Sequence, residues 1–443
     1  MPGAAIFFAR DFLSREMPLL ASSLGERPRV YIVLRADEAA AVRSLDPGGE
    51  VFQVGDVVPT GGAAGREPLP EDGAAIARDR TLRFAPAAEI DAVRQQLAAT
   101  VDAVLARHPA PAFYFDEPVS GYANEVFSRR FQDAGALALH FQTSWVPGRL
   151  FFVSDSGQDE PVRLDLYDDG QQLAARHVAD RAAGQALPHY VLSYGKVHRR
   201  LRDLVVTLGK AGYRRVARRR ASYVDRDAAA HLTHARALAG SLTGRYDAAA
   251  PRASAAGRMV VFPLHYEPES LLNYFSTWYR QEEIAARLLD SLPHDWRLVL
   301  KEHPSQPGAL QTSKWRDLRR AERVAILPGS YPASALMPHR PVVVSLGSTF
   351  ALEAALAGCV VGVLGAVHFR DAPGIHRLDN PQDWPSLLHH QPIAPAALIE
   401  WYGAFLDRYT FGGNLMRGNT WFDDPAALIA SLERAAAARQ GLA

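Results

Sequence analysis

The sequence predicts an α/β protein made of two parallel-sheet domains with helical additions. Three observations carry that prediction. Short apolar runs of strand length alternate with amphipathic runs of helix length in both halves of the 443-residue chain. In the C-terminal half, three such runs end in polar clusters: MVVFPLHYEPES (Met259–Ser270), RLVLKEHP (Arg297–Pro304) and VVVSLGSTFALEAALAGCVVGVLG (Val342–Gly365). Between the halves, GRYDAAAPRASAAG (244–257) is small and polar, as an interdomain linker requires. A parallel sheet delivers the residues that follow its strands to one edge, so the three clusters are expected to meet there.

Taken in order, residues 1–10 and 29–35 (RVYIVLR) read as strands, with a helix opening at Asp11–Glu16 between them. Positions 46–73, rich in Gly, Pro and Asp, read as a long surface connection. Ala87–Arg107 carries Ile90, Val93, Leu97, Val101, Val104 and Leu105 at helical spacing, hence an amphipathic helix. AFYFDEP (Ala112–Pro118) is a strand ending in two adjacent carboxylates, followed by a helix at about Asn124–Asp133. ALALHFQTSW and RLFFVS are again strands, which makes the N-terminal half Rossmann-like. From about Leu164 to Leu242 the pattern is helical, with a basic middle. Strand and helix alternation resumes at Met259 and runs to about Leu364. The last 45 or so residues read as helices, among them Pro395–Leu406 and Pro425–Arg439. The expected division is 1–243 as a Rossmann-like first domain with the basic helical segment, 258–394 as a Rossmann-like second domain, and 395–443 as helices packing back.

Composition excludes several function classes. Lys+Arg 49 against Asp+Glu 48 leaves a net charge of +1, so no global field recruits nucleic acid. The 48% hydrophobic fraction suits two soluble cores, and no 18-residue apolar window spans a bilayer. The N-terminal MPGAAIFFARDF lacks a basic n-region and reads as a strand, not a secretion signal. The single cysteine, Cys359, rules out a disulfide framework or a cysteine-rich metal site. The expectation is a cytoplasmic protein, at most peripheral at the inner face of the plasma membrane.

Chemistry concentrates at the strand ends. In Val342–Gly365, Leu346-Gly347 forms a turn and Ser348 or Thr349 caps a helix whose first N–H groups suit an anion. Hydroxyls of Ser345, Ser348 and Thr349 add donors, and Glu353 lies one turn in, within reach of a sugar hydroxyl. The plainer reading is a capped helix with Glu353 solvated. His303, before Pro304, offers an imidazole to a phosphate oxygen, with Lys301 as a second positive group; alone, it would read as a surface turn. His265, Glu267 and Glu269 alternate beyond VVFPL. A His with two acids is a possible metal set, but no fourth ligand is spaced to complete it, so no metal is expected. In the N-terminal half, Asp116 and Glu117 end a dry strand where a carboxylate can act as general base, with Asp11 a rival. For each, a helix cap or a structural ion pair is the alternative. The basic stretch Arg199–Arg220, interleaved with Leu, Val and Tyr, reads first as a solvated face and second as a contact with anionic lipid head groups. Its arginines and aromatics form no repeating strip for nucleic acid.

FPLHYEPES, YRQEEIAARLLDSLPHDWRLVLKEHPSQ and SLGSTFALEAALAG together resemble the capsular polysaccharide biosynthesis glycosyltransferases of the capsule-export Kps/Lip type. The resemblance covers about 110 residues of the C-terminal half. It implies a GT-B-like fold, two Rossmann-like domains facing across a cleft with the substrates between them. It also implies that His303 and Pro304 lie at the phosphate of a nucleotide-sugar, as in transferases that use CMP-sugars such as CMP-Kdo, with Ser348 and Thr349 on that phosphate. Glu353 falls five residues before Gly358, where such enzymes place a ribose-binding glutamate. The family pattern has glutamine at the position of Glu267. The implied partners are a nucleotide-sugar donor, itself a substrate and not a cofactor, and a glycan or lipid-linked glycan acceptor. Two other readings use the same residues: a nucleotide-sugar epimerase of similar build, and a non-catalytic sugar-nucleotide binding partner in capsule assembly.

Overall fold

The computed structural model describes residues 3–56, 72–79, 82–117, 121–154, 160–183, 201–202, 204–206, 208–209, 212, 228–247, 249, 258–267 and 276–441. These fall into two compact units. The first takes its described residues from Met1–Gly170 and Ala404–Ala443, the second from Gln171–Ala221 and Asp225–Gly403.

In the first unit, strands β1 (Ala5–Phe8), β2 (Arg29–Val33), β3 (Glu50–Gln53), β4 (Phe113–Asp116), β5 (Leu137–Thr143) and β6 (Arg149–Val153) belong to one sheet. β1 to β5 are mutually parallel in the order β3-β2-β1-β4-β5. β6 then adds antiparallel to β5, in register His140↔Val153. The central strands AIFF, VYIV and FYFD are buried along their length, as expected of parallel strands covered on both faces. Their two faces feed two cores. One holds Phe7, Tyr31, Phe113 and Phe115 with the helix Leu13–Ala21; the other holds Ile6, Phe8 and Tyr114 with the helices Ala87–Arg107 and Tyr122–Asp133.

The second unit contains β7 (Met259–Pro263), β8 (Arg297–Lys301), β9 (Val324–Leu327), β10 (Val342–Ser345), β11 (Val360–Val363) and β12 (Ile375–Arg377). All neighbours are parallel, in the order β12-β11-β10-β7-β8-β9. Its core joins Val260, Phe262, Leu298, Leu300 and Val344 to the helix Gln281–Asp290 and to the fully buried Trp315 and Trp384.

Three expectations are corrected. The stretch 46–73 is not all surface connection, because β3 pairs in parallel with β2, Val30↔Glu50 to Val33↔Gln53. The C-terminal stretch is not all helix. Between the helices Pro395–Tyr409 and Pro425–Gly441 lie β13 (Thr410–Asn414) and β14 (Trp421–Phe422), and β13 extends the first sheet antiparallel to β6. Finally, the helix Ala228–Thr243, expected with the N-terminal half, packs on Ala309–Gln311 of the second unit. The cause is local: Gly308 brings its backbone so near the Ala237 carbonyl that any Cβ there would collide with it.

Candidate functional site

In the second sheet the chain winds outward from β7 through β8 and β9, then restarts on the other side of β7 with β10, β11 and β12. The winding direction therefore reverses between β7 and β10. Loops leaving the carboxyl ends of strands at such a reversal diverge, and open α/β sheets bind their ligands in the crevice so formed. The three polar clusters are the loops after β7, β8 and β10, adjacent strands on one edge.

Two glutamines hold the first loop, one from the helix that follows it and one from the second loop. Gln281, buried at the start of its helix, accepts the His265 N–H at 2.7 Å. Its amide nitrogen donates to the His265 carbonyl (3.2 Å) and to Glu267 Oε1 (2.7 Å). Gln306, two residues past Pro304, accepts the Glu267 N–H and donates to the Glu267 carbonyl, both at 2.9 Å. Each amide replaces strand pairing where the sheet has ended. The His265 side chain is buried, whereas the half-exposed Glu267 carboxylate pairs with Lys314. The expected single face of His265 and Glu267 is thus broken. Glu269 lies outside the described residues.

The KEHP turn distributes its side chains unequally. Glu302 is 1% exposed and accepts hydrogen bonds from Gly308 N–H (3.1 Å), Leu310 N–H (3.0 Å) and the Tyr246 hydroxyl (2.9 Å). Burial raises its pKa, against the pull of those donors. Lys301 is buried too; its Nζ donates to the carbonyls of Gly329 (3.2 Å) and Glu302 (3.4 Å), and burial lowers its pKa to about 8. Lys301 therefore props the turn, its ammonium directed to two backbone carbonyls. His303 is half-buried. Its Nδ1 accepts the Ser305 N–H at 3.1 Å, which leaves Nε2 as the ring's N–H donor, and Tyr266 meets the ring edge to face at 6.1 Å. Pro304, half-buried, follows in the turn.

Behind the turn, Gly329 has no room for a Cβ: the atom would lie 2.7 Å from the His303 carbonyl oxygen and 2.9 Å from Pro304 Cα. Gly329→Ala must displace backbone on one side or the other. It is expected to destabilise the unit by about 1–3 kcal/mol, read as a lower urea midpoint; an unchanged midpoint would show that the turn is free to shift.

After β10, the buried Ser345 hydroxyl accepts the N–H groups of Gly347 (3.1 Å) and Ser348 (3.0 Å), and Ser348 Oγ accepts that of Phe350 (3.2 Å). Ser345 is thus a shaper of the turn. The half-buried Ser348 and exposed Thr349 are the hydroxyls placed at its surface, ahead of the seven-residue helix Phe350–Leu356. Glu353 forms an ion pair with Arg181 of the helix Gly170–Ala182, instead of standing solvated. Arg181, Gln306 and Gly329 were not singled out in the sequence, and Gln281 and Glu302 were given no role there.

The first sheet reverses its winding between β1 and β4. Here Asp116, at the end of β4, is fully buried. It accepts from the Tyr114 hydroxyl (2.9 Å), Asn124 Nδ2 (2.8 Å) and the Glu117 N–H (2.7 Å). Burial pushes its pKa up to about 7, with Arg10 the main opposing influence. In this arrangement the carboxylate holds Asn124 and the Glu117 backbone. Glu117, a quarter exposed, is ion-paired with Arg10. Asp11 is the most exposed of the three, its side chain 59% accessible and in contact with Arg417 at 2.6 Å. Among the described residues no three His, Cys, Asp or Glu side chains converge as a metal-binding group, and no helix is long and apolar enough to cross a membrane. Of the arginines in Arg199–Arg220, Arg202 is described and exposed; the others lie outside the described residues.

The family described as capsule polysaccharide biosynthesis protein matches residues 161–399, more than half of the chain. The chain belongs to the capsule polysaccharide biosynthesis protein family. The matched span of this family member holds all three strand-end loops. No curated protein matches it. Solved structures similar to it include the KpsC beta Kdo 2,7 transferase of Thermosulfurimonas dismutans, at 10% identity and TM-score 0.38, covering 94% of this chain and 99% of that one. The KpsC beta Kdo 2,4 transferase of the same organism is 11% identical with TM-score 0.33, covering 73% and 87%. The UDP-GlcNAc 2-epimerase of Neisseria meningitidis is 11% identical with TM-score 0.25, covering 100% of both.

Proposed function

We propose that this capsule-family protein is a glycosyltransferase that moves a sugar from a nucleotide donor, a CMP-sugar such as CMP-Kdo being favoured, to a capsule or other surface-glycan acceptor. The observation that carries the reading is the convergence of the β7, β8 and β10 loops on one edge of the second sheet, beside its winding reversal. In this reading the donor nucleotide binds the second unit. Its phosphate takes hydrogen bonds from His303 Nε2–H and from the hydroxyls of Ser348 and Thr349. Glu353, held by Arg181, is within one turn of those hydroxyls and takes the ribose. Gln281 and Gln306 fix the His265–Glu267 backbone that borders the nucleotide. Acceptor chemistry falls to the first unit. As the bond between the anomeric carbon and the phosphate oxygen breaks, negative charge gathers on the departing phosphate, and donors already in place stabilise it without reorganisation.

The test is a panel of CMP-, UDP- and GDP-sugars with and without glycan acceptors, followed for transfer and for donor hydrolysis. His303→Ala is expected to lower transfer about 100-fold. Full turnover in that variant would overturn the donor-side assignment. Sugar inversion with no acceptor present would identify an epimerase, and nucleotide binding without turnover a non-catalytic partner.

A further inference from the structure

We infer that Asp11 is the carboxylate that engages the acceptor hydroxyl, and that the buried Glu38 is its positioning residue. The inference rests on the glycosyltransferase reading above and assigns the acceptor side of the same reaction.

Asp11 follows β1 by three residues, on the edge of the first sheet where the winding reverses between β1 and β4. It is one of three non-glycine residues with positive φ among those described, at +50°. A left-handed conformation costs a residue with a Cβ about 1 kcal/mol or more and persists only where the surroundings impose it. Glu38 imposes it here. Its carboxylate, 2% exposed, accepts the Asp11 N–H at 2.6 Å, the Leu34 N–H at 2.9 Å and the Arg35 N–H at 3.0 Å. One buried side chain thereby ties the chain leaving β1 to the chain leaving β2. The Ser14 hydroxyl donates to the Asp11 carbonyl at 2.7 Å and fixes the peptide unit that follows Asp11. The backbone of Asp11 is therefore held from both directions while its carboxylate stays in solvent.

The two carboxylates that end β4 are less accessible than Asp11. Asp116 is enclosed and triply hydrogen-bonded, and Glu117 is paired with Arg10. Asp11 has Arg417 as its ion-pair partner, but both side chains are mostly exposed, and a pair of that kind contributes little and is readily exchanged. In the reaction, the Asp11 carboxylate accepts the proton of the acceptor hydroxyl as that oxygen bonds to the anomeric carbon. The anomeric carbon–oxygen bond to phosphate breaks with its electron pair on the phosphate, and the nucleoside phosphate leaves. No redox partner is involved, and the charge is conserved.

The experiment uses the full chain, the donor and acceptor identified in the panel, and three variants. Asp11→Asn is expected to lower transfer about 100-fold, with the thermal shift caused by CMP unchanged. Asp11→Glu is expected to restore part of the rate. Glu38→Gln is expected to raise the acceptor KM several-fold while kcat and nucleotide binding are kept, a split that a merely structural role would not produce. Wild-type transfer rates in Asp11→Asn would overturn the inference and leave the transferase reading standing. If the unaltered protein transfers no sugar from any donor, the transferase reading fails and the inference falls with it.

Discussion

Replacing Glu302 with alanine is expected to destabilise the second unit by about 3–5 kcal/mol. The carboxylate is enclosed and receives two backbone N–H groups and a phenolic hydroxyl from Gly308, Leu310 and Tyr246. Alanine leaves the buried Gly308 and Leu310 N–H groups without an acceptor, at a cost of roughly 1–3 kcal/mol each, and takes one acceptor from the half-buried Tyr246 hydroxyl. The sum is not reached, because alanine also removes a carboxylate whose ionisation burial opposes. The buried Lys301 loses its neighbouring negative charge in the same change, so its pKa, already about 8, falls further. Glu302→Gln retains an acceptor oxygen and is expected to lose less. Urea unfolding followed by tryptophan fluorescence reads the effect, since Trp315 and Trp384 are buried in this unit. An alanine variant with the wild-type midpoint would show that the turn is held by other means.

Asp116 yields a prediction in pH. Its folded pKa of about 7 lies above the unfolded value of 3.8, so between those limits the native state holds a proton that the unfolded chain has released. The stability it contributes is complete below pH 3.8 and is lost as pH rises through about 7. Three units amount to about 4 kcal/mol. Glu38 and Glu302, also raised by burial, act in the same direction. His177 and His368, lowered by burial to about 4 and about 3, act in the opposite one at acidic pH. Subtraction removes these common contributions. The unfolding free energy of Asp116→Asn minus that of wild type is expected to climb between pH 4 and pH 7 and to level off above. A difference that stays flat across this range would show that Asp116 ionises as freely in the fold as in the open chain.

Much of the second sheet was legible because parallel strands announce themselves. MVVFP, RLVLK and VVVS are unbroken apolar runs closed by turn residues, and covering on both faces requires just that. The helix at about Ala87–Arg107 was readable from its apolar spacing. β13 was not, because TFGGN has poor strand propensity and owes its conformation to pairing with Arg149–Phe151, far away in the chain. The site was legible as a set of loops and illegible as a set of contacts. Adjacent residues in KEHP look equivalent in a sequence, yet the structure buries Lys301 and Glu302 and leaves His303 half in solvent. Gln281, Gln306 and Arg181 are ordinary polar residues until the strand order is known. Asp116 looked reactive because it ended an aromatic strand, and the same dryness is what encloses it.

The return of residues 410–414 to β6, and of Leu428, Ile429 and Leu432 to the core beside Leu13 and Met17, has a bearing on biosynthesis. A ribosome makes the β7–β12 sheet entire before it makes the last strands of the β1–β6 sheet. Until then β6 is an unpaired edge, and the nascent first unit carries an uncovered apolar face through the synthesis of more than 250 residues. The later-coded half can therefore finish first, and the earlier-coded half is the one that needs shielding by chaperones while it waits.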